Sequence, residues 1–113
     1  MPLPHPVPDD LAELVARRFR VLAEPMRIRL LDRLREGEAT VGELSDALEA
    51  SQQNVSKHLA LLAAAGILGR RKDGNHVHYR IVDESVFALC EQVCGSAQRH
   101  LSALRDLVVG VTA

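Results

Sequence analysis

Apolar positions recur along this chain with two different periods, and the change from one to the other organises it. Residues 1–8, with proline at every even position, read as an extended polyproline-like arm. From Asp9 onward, Leu11, Leu14, Val15, Val21 and Leu22 fall at helical spacing, which predicts a helix capped by Asp9 and reaching about Val21. Pro25 suits the first turn of a second helix, where its missing N–H has no helical partner. Ile28, Leu31 and Leu34 line that helix, and Gly37 stops it. Thr40-Val41-Gly42-Glu43 carries the S/T-x-x-E capping-box pattern and opens a short helix to Leu48. Ser51 caps a fourth helix, which ends where Gly66 takes a left-handed conformation.

The helical period then gives way to alternation. Ile67-Leu68 leads into Arg70-Arg71-Lys72, Asp73-Gly74-Asn75 reads as a turn, and His76 to Val82 alternates. Val77, Tyr79 and Ile81 lie on one side of this strand; His76, His78 and Arg80 lie on the other. The result is a hairpin with an apolar face and a cationic face. Asp83 then caps a long last helix to about Val108. The predicted fold is mainly α with a small β-hairpin wing: four helices, two strands and a fifth helix, the order of a winged helix-turn-helix. The expected organisation is an arm at 1–8, one domain at 9–108 and a tail at 109–113.

Composition narrows the function. The chain has 113 residues, 47% of them hydrophobic, so one domain with a modest core is expected. Aromatics make up only 3% and Trp is absent, which gives no support to an aromatic-walled cofactor pocket or sugar cleft. Two cysteines form no disulfide scaffold and suggest a reducing compartment. No apolar run approaches a membrane span, and no apolar signal-peptide core follows residues 1–8, so a cytoplasmic protein without a membrane partner is expected. The net charge of -1 is unevenly spread. Residues 1–50 carry -3, residues 51–82 carry +4 and residues 83–113 carry -2. A basic middle between acidic flanks hints at a phosphate-facing patch.

The short third helix, the tight turn Glu49-Ala50 and the fourth helix make a helix-turn-helix. In the fourth helix Val55, Leu59 and Leu62 form the stripe expected to be buried. At its N-terminal end the opposite face shows Gln52, Gln53, Ser56 and Lys57, side chains that read base edges or hold phosphates in a major groove. The hairpin follows at once with Arg70, Arg71, Lys72, His76, His78 and Arg80. Together these predict a binder of double-stranded DNA. A protein-interaction module without DNA binding is the rival, and the basic wing and acid-free reading face argue against it. An enzyme would need Cys90 or Cys94 as nucleophile with His100 as base. No Gly-rich loop, oxyanion-type turn or orienting third group accompanies them.

Three linked motifs resemble the ArsR/SmtB-type winged-helix repressors over about residues 12–108. Leu22-Ala23-Glu24-Pro25-Met26-Arg27-Ile28-Arg29-Leu30-Leu31 is similar to their LA-x-P-x-R opening of the second helix. Ser51-Gln52-Gln53-Asn54-Val55-Ser56-Lys57-His58-Leu59 is similar to their SQ-x-x-VS-x-x-L recognition helix. Leu62 to Leu68 and the wing from Gly74 to Tyr79 complete the match. The resemblance implies a homodimer joined through the first and last helices, a repressor bound to an imperfect inverted repeat, and an effector, often a metal, that releases the DNA. Many members carry Gly-Arg at the wing tip, where this chain has Gly74-Asn75; the wing contact is then weaker or moves to His76, His78 and Arg80. Members that bind DNA without an inducer also exist in such folds.

The resemblance also frames what the chain senses. The thiolate pair of many metal-sensing members would fall at Thr40 and Gly42, neither of which is such a ligand. The other common site keeps Asp83, but its remaining positions hold Ser85, Ser96 and Arg99, so an intact tetrahedral zinc site is not expected. Cys90 and Cys94 remain, i and i+4 on one helical face. As soft thiolates they select arsenite, cadmium, copper(I) or oxidants. Phe87, Cys90, Cys94, Ala97, Leu101, Leu104 and Val108 also form a heptad-like seam, so both cysteines equally fit as packing residues of a dimer interface. A third route is an intersubunit nickel site from histidines, His5 of the arm and His100; if the cysteines only pack, the sensor is sought among His5, Asp83 and His100. His58 is expected on the flank of the recognition helix.

Overall fold

The computed structural model describes the backbone of residues 3–112 and the side chains of residues 3–109. Its elements run α1 (Asp9–Leu22), α2 (Pro25–Leu34), β1 (Ala39–Thr40), α3 (Val41–Leu48), α4 (Gln52–Ala64), β2 (Leu68–Asp73), β3 (His76–Ile81) and α5 (Glu84–Thr112). The chain forms two compact units that divide between Asp83 and Glu84, so α5 is a unit of its own.

Local chemistry sets most boundaries in the first unit. Pro25 occupies the first turn of α2, and the Glu24 side chain caps that helix by accepting from the Met26 N–H at 3.3 Å. The capping box at α3 is complete: Thr40 Oγ1 accepts from the Glu43 N–H, and Glu43 Oε1 accepts from the Thr40 N–H, both at 3.2 Å. Ser51 Oγ accepts from the Asn54 N–H at 3.1 Å and starts α4. Two expectations about the first helix and the last are corrected. Asp9 lies inside α1, whose N-cap is Pro8 with no side-chain cap bond. The last helix runs past Val108 to Thr112, through the stretch expected as a tail.

The hairpin is joined by a third strand that periodicity did not predict. The sheet order is β1-β3-β2, antiparallel throughout. β1 is only two residues, too short for an alternating pattern, and pairs Ala39 with Tyr79 and Thr40 with His78. The core of this unit gathers Leu30 from α2, Leu44 from α3, Val55, Leu59 and Leu62 from α4, and Ile67, all at 0% exposure. Each such burial is worth about 1.5–3 kcal/mol, which fixes α3 and α4 against α2 and the sheet.

Candidate nucleic-acid interface

The α3–α4 pair turns on a single residue in an uncommon conformation. Glu49 has φ 52°, in the left-handed region. The Ala50 N–H donates to the Ser45 carbonyl at 3.1 Å, and the Ser45 hydroxyl donates back to the Ala50 carbonyl. Beyond the turn, α4 puts Val55, Leu59 and Leu62 into the core and leaves Gln52, Gln53, Ser56 and Lys57 exposed, as their spacing predicts. Its first turn holds no acid, and its N-terminal N–H groups favour an anion.

His58 differs from its expected place. It is buried, at 7% exposure, on the same side of α4 as Val55 and Leu59. Arg27 Nε donates to His58 Nδ1 at 3.1 Å, and Arg27 Nη1 donates to the Val21 carbonyl at 2.9 Å. One guanidinium thus ties α4 to the end of α1.

The exposed face of α4 adjoins α3, and α3 adjoins the hairpin. A methyl group on Gly42 would lie 3.8 Å from Gln52 Nε2 and 3.9 Å from Thr40 Oγ1, so the Gln52 amide sits over the first turn of α3. Thr40 is in register with His78 of β3. The hydrogen bonds from Thr40 hold the Glu43 carboxyl below its ordinary value, helped by the Arg33 charge.

Strand alternation divides the wing's cations between two faces. Arg70 pairs with Tyr79 and Lys72 with Val77, which puts both on the apolar side; the Arg70 guanidinium lies 5.6 Å from the Tyr79 ring centroid. Arg71 pairs with His78, Asp73 with His76 and Gly69 with Arg80, which puts Arg71, His76, His78 and Arg80 on the other side. There, a methyl group on Gly69 would meet Val82 Cγ1 at 2.9 Å and Arg80 Cζ at 3.2 Å, so the Arg80 side chain lies across Gly69. On this same face Arg71 is ion-paired with Glu38, and its other nitrogen lies 3.8 Å from Asp73. Glu38 Oε1 is also 3.8 Å from His78 Nδ1. The hydrogen bond from Arg71 holds the Glu38 carboxyl below its ordinary value, and Glu38 raises Arg71 in return. Sequence reasoning missed Glu38, since nothing local links it to a residue 33 positions on.

The residues considered for sensing are dispersed. Asp83 is already engaged: Arg18 Nη1 donates to its carboxylate at 2.8 Å. His5 and His100 are exposed. Cys90 is half-buried and Cys94 exposed; burial, then the neighbouring Cys94, pushes the Cys90 thiol up. Among the described residues no three His, Cys, Asp or Glu side chains gather as a metal cluster within one chain. Thr40 and Gly42 offer no soft donor, and Thr40 Oγ1 serves the cap. Among the described residues Cys90 and Cys94 are the thiols, with soft-metal donor chemistry. Along α5 the expected seam is mostly exposed, with Leu101 at 47% and Leu104 at 46%. Among the described residues no helix is long and apolar enough to cross a membrane.

A family model for a helix-turn-helix domain matches residues 22–71. The chain is 44% identical over 98 residues to the arsenic resistance transcriptional regulator ArsR1 of Pseudomonas putida, covering 81% of this chain and 77% of that one. The crystal structure of the antimony-specific transcriptional repressor AntR superposes with a TM-score of 0.80 at 34% identity, covering 88% of this chain and 90% of that chain. This chain belongs to the ArsR/SmtB family of winged helix-turn-helix repressors. A homodimeric winged helix-turn-helix DNA-binding domain from Mycobacterium bovis is a further ArsR/SmtB-like neighbour, with a TM-score of 0.75 at 31% identity over 89% of this chain and 94% of that one. With the transcriptional repressor SmtB of Mycobacterium tuberculosis the ArsR/SmtB match is 40% identical over 80 residues, 71% of this chain but only 59% of that relative's length.

Proposed function

We propose that this protein is a homodimeric, sequence-specific DNA-binding repressor whose hold on DNA is modulated by a thiophilic effector. The observation that carries the reading is the acid-free, exposed face of Gln52, Gln53, Ser56 and Lys57 on a helix whose other side is fixed in the core. Glutamine, serine and lysine at the start of a recognition helix read base edges and phosphates in the major groove. Arg70, Lys72, His76, His78 and Arg80 of the wing supply backbone contacts beside it.

A second copy completes the assembly. The exposed seam of α5 fits a self-complementary interface, as does the family's homodimeric neighbour. Two recognition helices would then lie ~34–36 Å apart and match an inverted repeat. The effector reading rests on Cys90 and Cys94. Two of the chain's relatives are named for arsenic resistance and for antimony. Two thiols per chain become four across a two-fold axis, and binding a soft metal would release their protons. The cell compartment that fits a DNA-binding regulator with free thiols is the cytoplasm.

The test is a salt-titrated gel shift against random duplex and against the DNA upstream of the protein's own gene. A DNA binder's log affinity falls linearly with log salt, and the upstream DNA should be held more tightly. No retardation of either duplex at micromolar protein and ~50 mM salt, where phosphate contacts are strong, would overturn the reading.

A further inference from the structure

The cationic face of the wing holds one carboxylate from outside the hairpin. Glu38 precedes β1, and the pairing of β1 with β3 brings it beside Arg71 and His78. Arg71 meets it directly, while Arg70, Lys72 and Arg80 make no ion pair with a carboxylate among the described residues. Arg70 is instead stacked on Tyr79, and Arg80 is spread over Gly69. The wing therefore presents cations of two kinds, one neutralised within the protein and the others open to solvent.

We propose that Glu38 is a positioning residue that withholds Arg71 from the DNA backbone, so that phosphate contact is left to the other basic residues of the wing and its sequence-independent affinity is limited. This rests on the reading of the chain as a DNA binder. A phosphate that recruited Arg71 would have to displace a carboxylate already hydrogen-bonded to it, and would then face that carboxylate at close range. Like charges side by side oppose the contact, so Arg71 stays with Glu38 in the complex. The arrangement works in the free protein too: it lowers the positive potential that draws the wing to any duplex, and leaves base reading by α4 untouched.

The salt dependence of DNA binding separates this from direct contact by Arg71, because each phosphate neutralised adds about 0.9 to the slope of log affinity on log salt. The experiment uses the full chain, random duplex and three variants: Glu38→Gln, Arg71→Ala and the double variant, with thermal melts to establish that each is folded. Glu38→Gln should release Arg71 from all but its longer contact with Asp73, steepen the slope by up to about 0.9 and raise affinity by up to roughly tenfold at ~0.1 M salt. Arg71→Ala should weaken binding, because it exposes Glu38 to the backbone. The double variant should return to the wild-type slope and affinity. A double variant whose slope is shallower than wild type by about 0.9 would mean that Arg71 touches phosphate in the native complex, and the proposal would be wrong. Wild-type protein that binds no duplex at all would instead overturn the DNA-binding reading and this proposal together.

Discussion

Arg27 grips His58 from outside the recognition helix, donating from Nε to His58 Nδ1 at 3.1 Å while its Nη1 holds the Val21 carbonyl at 2.9 Å. In this hydrogen bond the ring serves as an acceptor through Nδ1. Its acceptor is the only part of the ring this contact needs. His58→Leu should therefore destabilise the fold by about 1–3 kcal/mol, by leaving the Arg27 Nε–H without its partner. His58→Gln, whose amide oxygen also accepts, should recover most of that loss. Urea unfolding measures both, and imidazole nitrogen shifts report the tautomer. Equal losses in the two variants would show that ring packing, not the hydrogen bond, holds the helix.

The exposed N-terminal face of α4 makes separable predictions. Gln53→Ala should reduce discrimination between operator and random duplex by ~1–3 kcal/mol, the worth of one good base contact. Lys57→Ala should weaken binding to every sequence and lower the salt slope by about one phosphate's share. Unchanged operator affinity in alanine variants at Gln52, Gln53, Ser56 and Lys57 alike would remove α4 from the groove.

Leu101, 47% exposed in the middle of the α5 seam, tests the dimer. Leu101→Glu places a charge where two copies would bury apolar surface. It should give monomers by sedimentation at micromolar concentration, with operator binding lost alongside. A variant that still sediments as a dimer puts the interface elsewhere.

For the thiols, the double variant Cys90→Ser, Cys94→Ser should keep operator binding and lose its response to arsenite, cadmium or peroxide. A ligand shifts only an equilibrium whose states it binds differently, so the wild type must release or tighten DNA when the agent is added. An isolated disulfide between these cysteines is disfavoured: i, i+4 Cβ atoms on a helix lie ~5–6 Å apart, whereas a disulfide wants ~3.8 Å. Identical responses in wild type and variant would leave Cys90 and Cys94 as packing residues.

The features that were legible in the sequence are those encoded within a few residues. The Thr40–Glu43 box, the Ser51 cap, the Gly66 stop and the hairpin turn each depend on neighbours a few positions apart, although the turn is Gly74-Asn75 alone and Asp73, expected in it, ends β2. The exposure of Gln52, Gln53, Ser56 and Lys57 was legible because helical spacing alone separates them from Val55, Leu59 and Leu62. His58 is buried instead of lying on the helix flank: its spacing from Val55 and Leu62 puts it on the buried stripe, and the partner that satisfies it there lies 31 residues away. The ion pairs of Glu38 with Arg71 and of Arg18 with Asp83 join residues 33 and 65 apart, and no local pattern announces such pairs. β1 escaped because two residues carry no period.

Gly69 has a consequence for how this wing tolerates change. Its backbone is open to any residue as far as φ is concerned, and it carries no chemistry of its own, so a survey of basic side chains passes over it. Yet a single methyl there would meet Val82 at 2.9 Å and lie under the Arg80 guanidinium. The room Arg80 occupies is thus provided at a neutral position on the neighbouring strand. Within such hairpins, drift at the uncharged site would redraw the electrostatic outline while every arginine stayed in place.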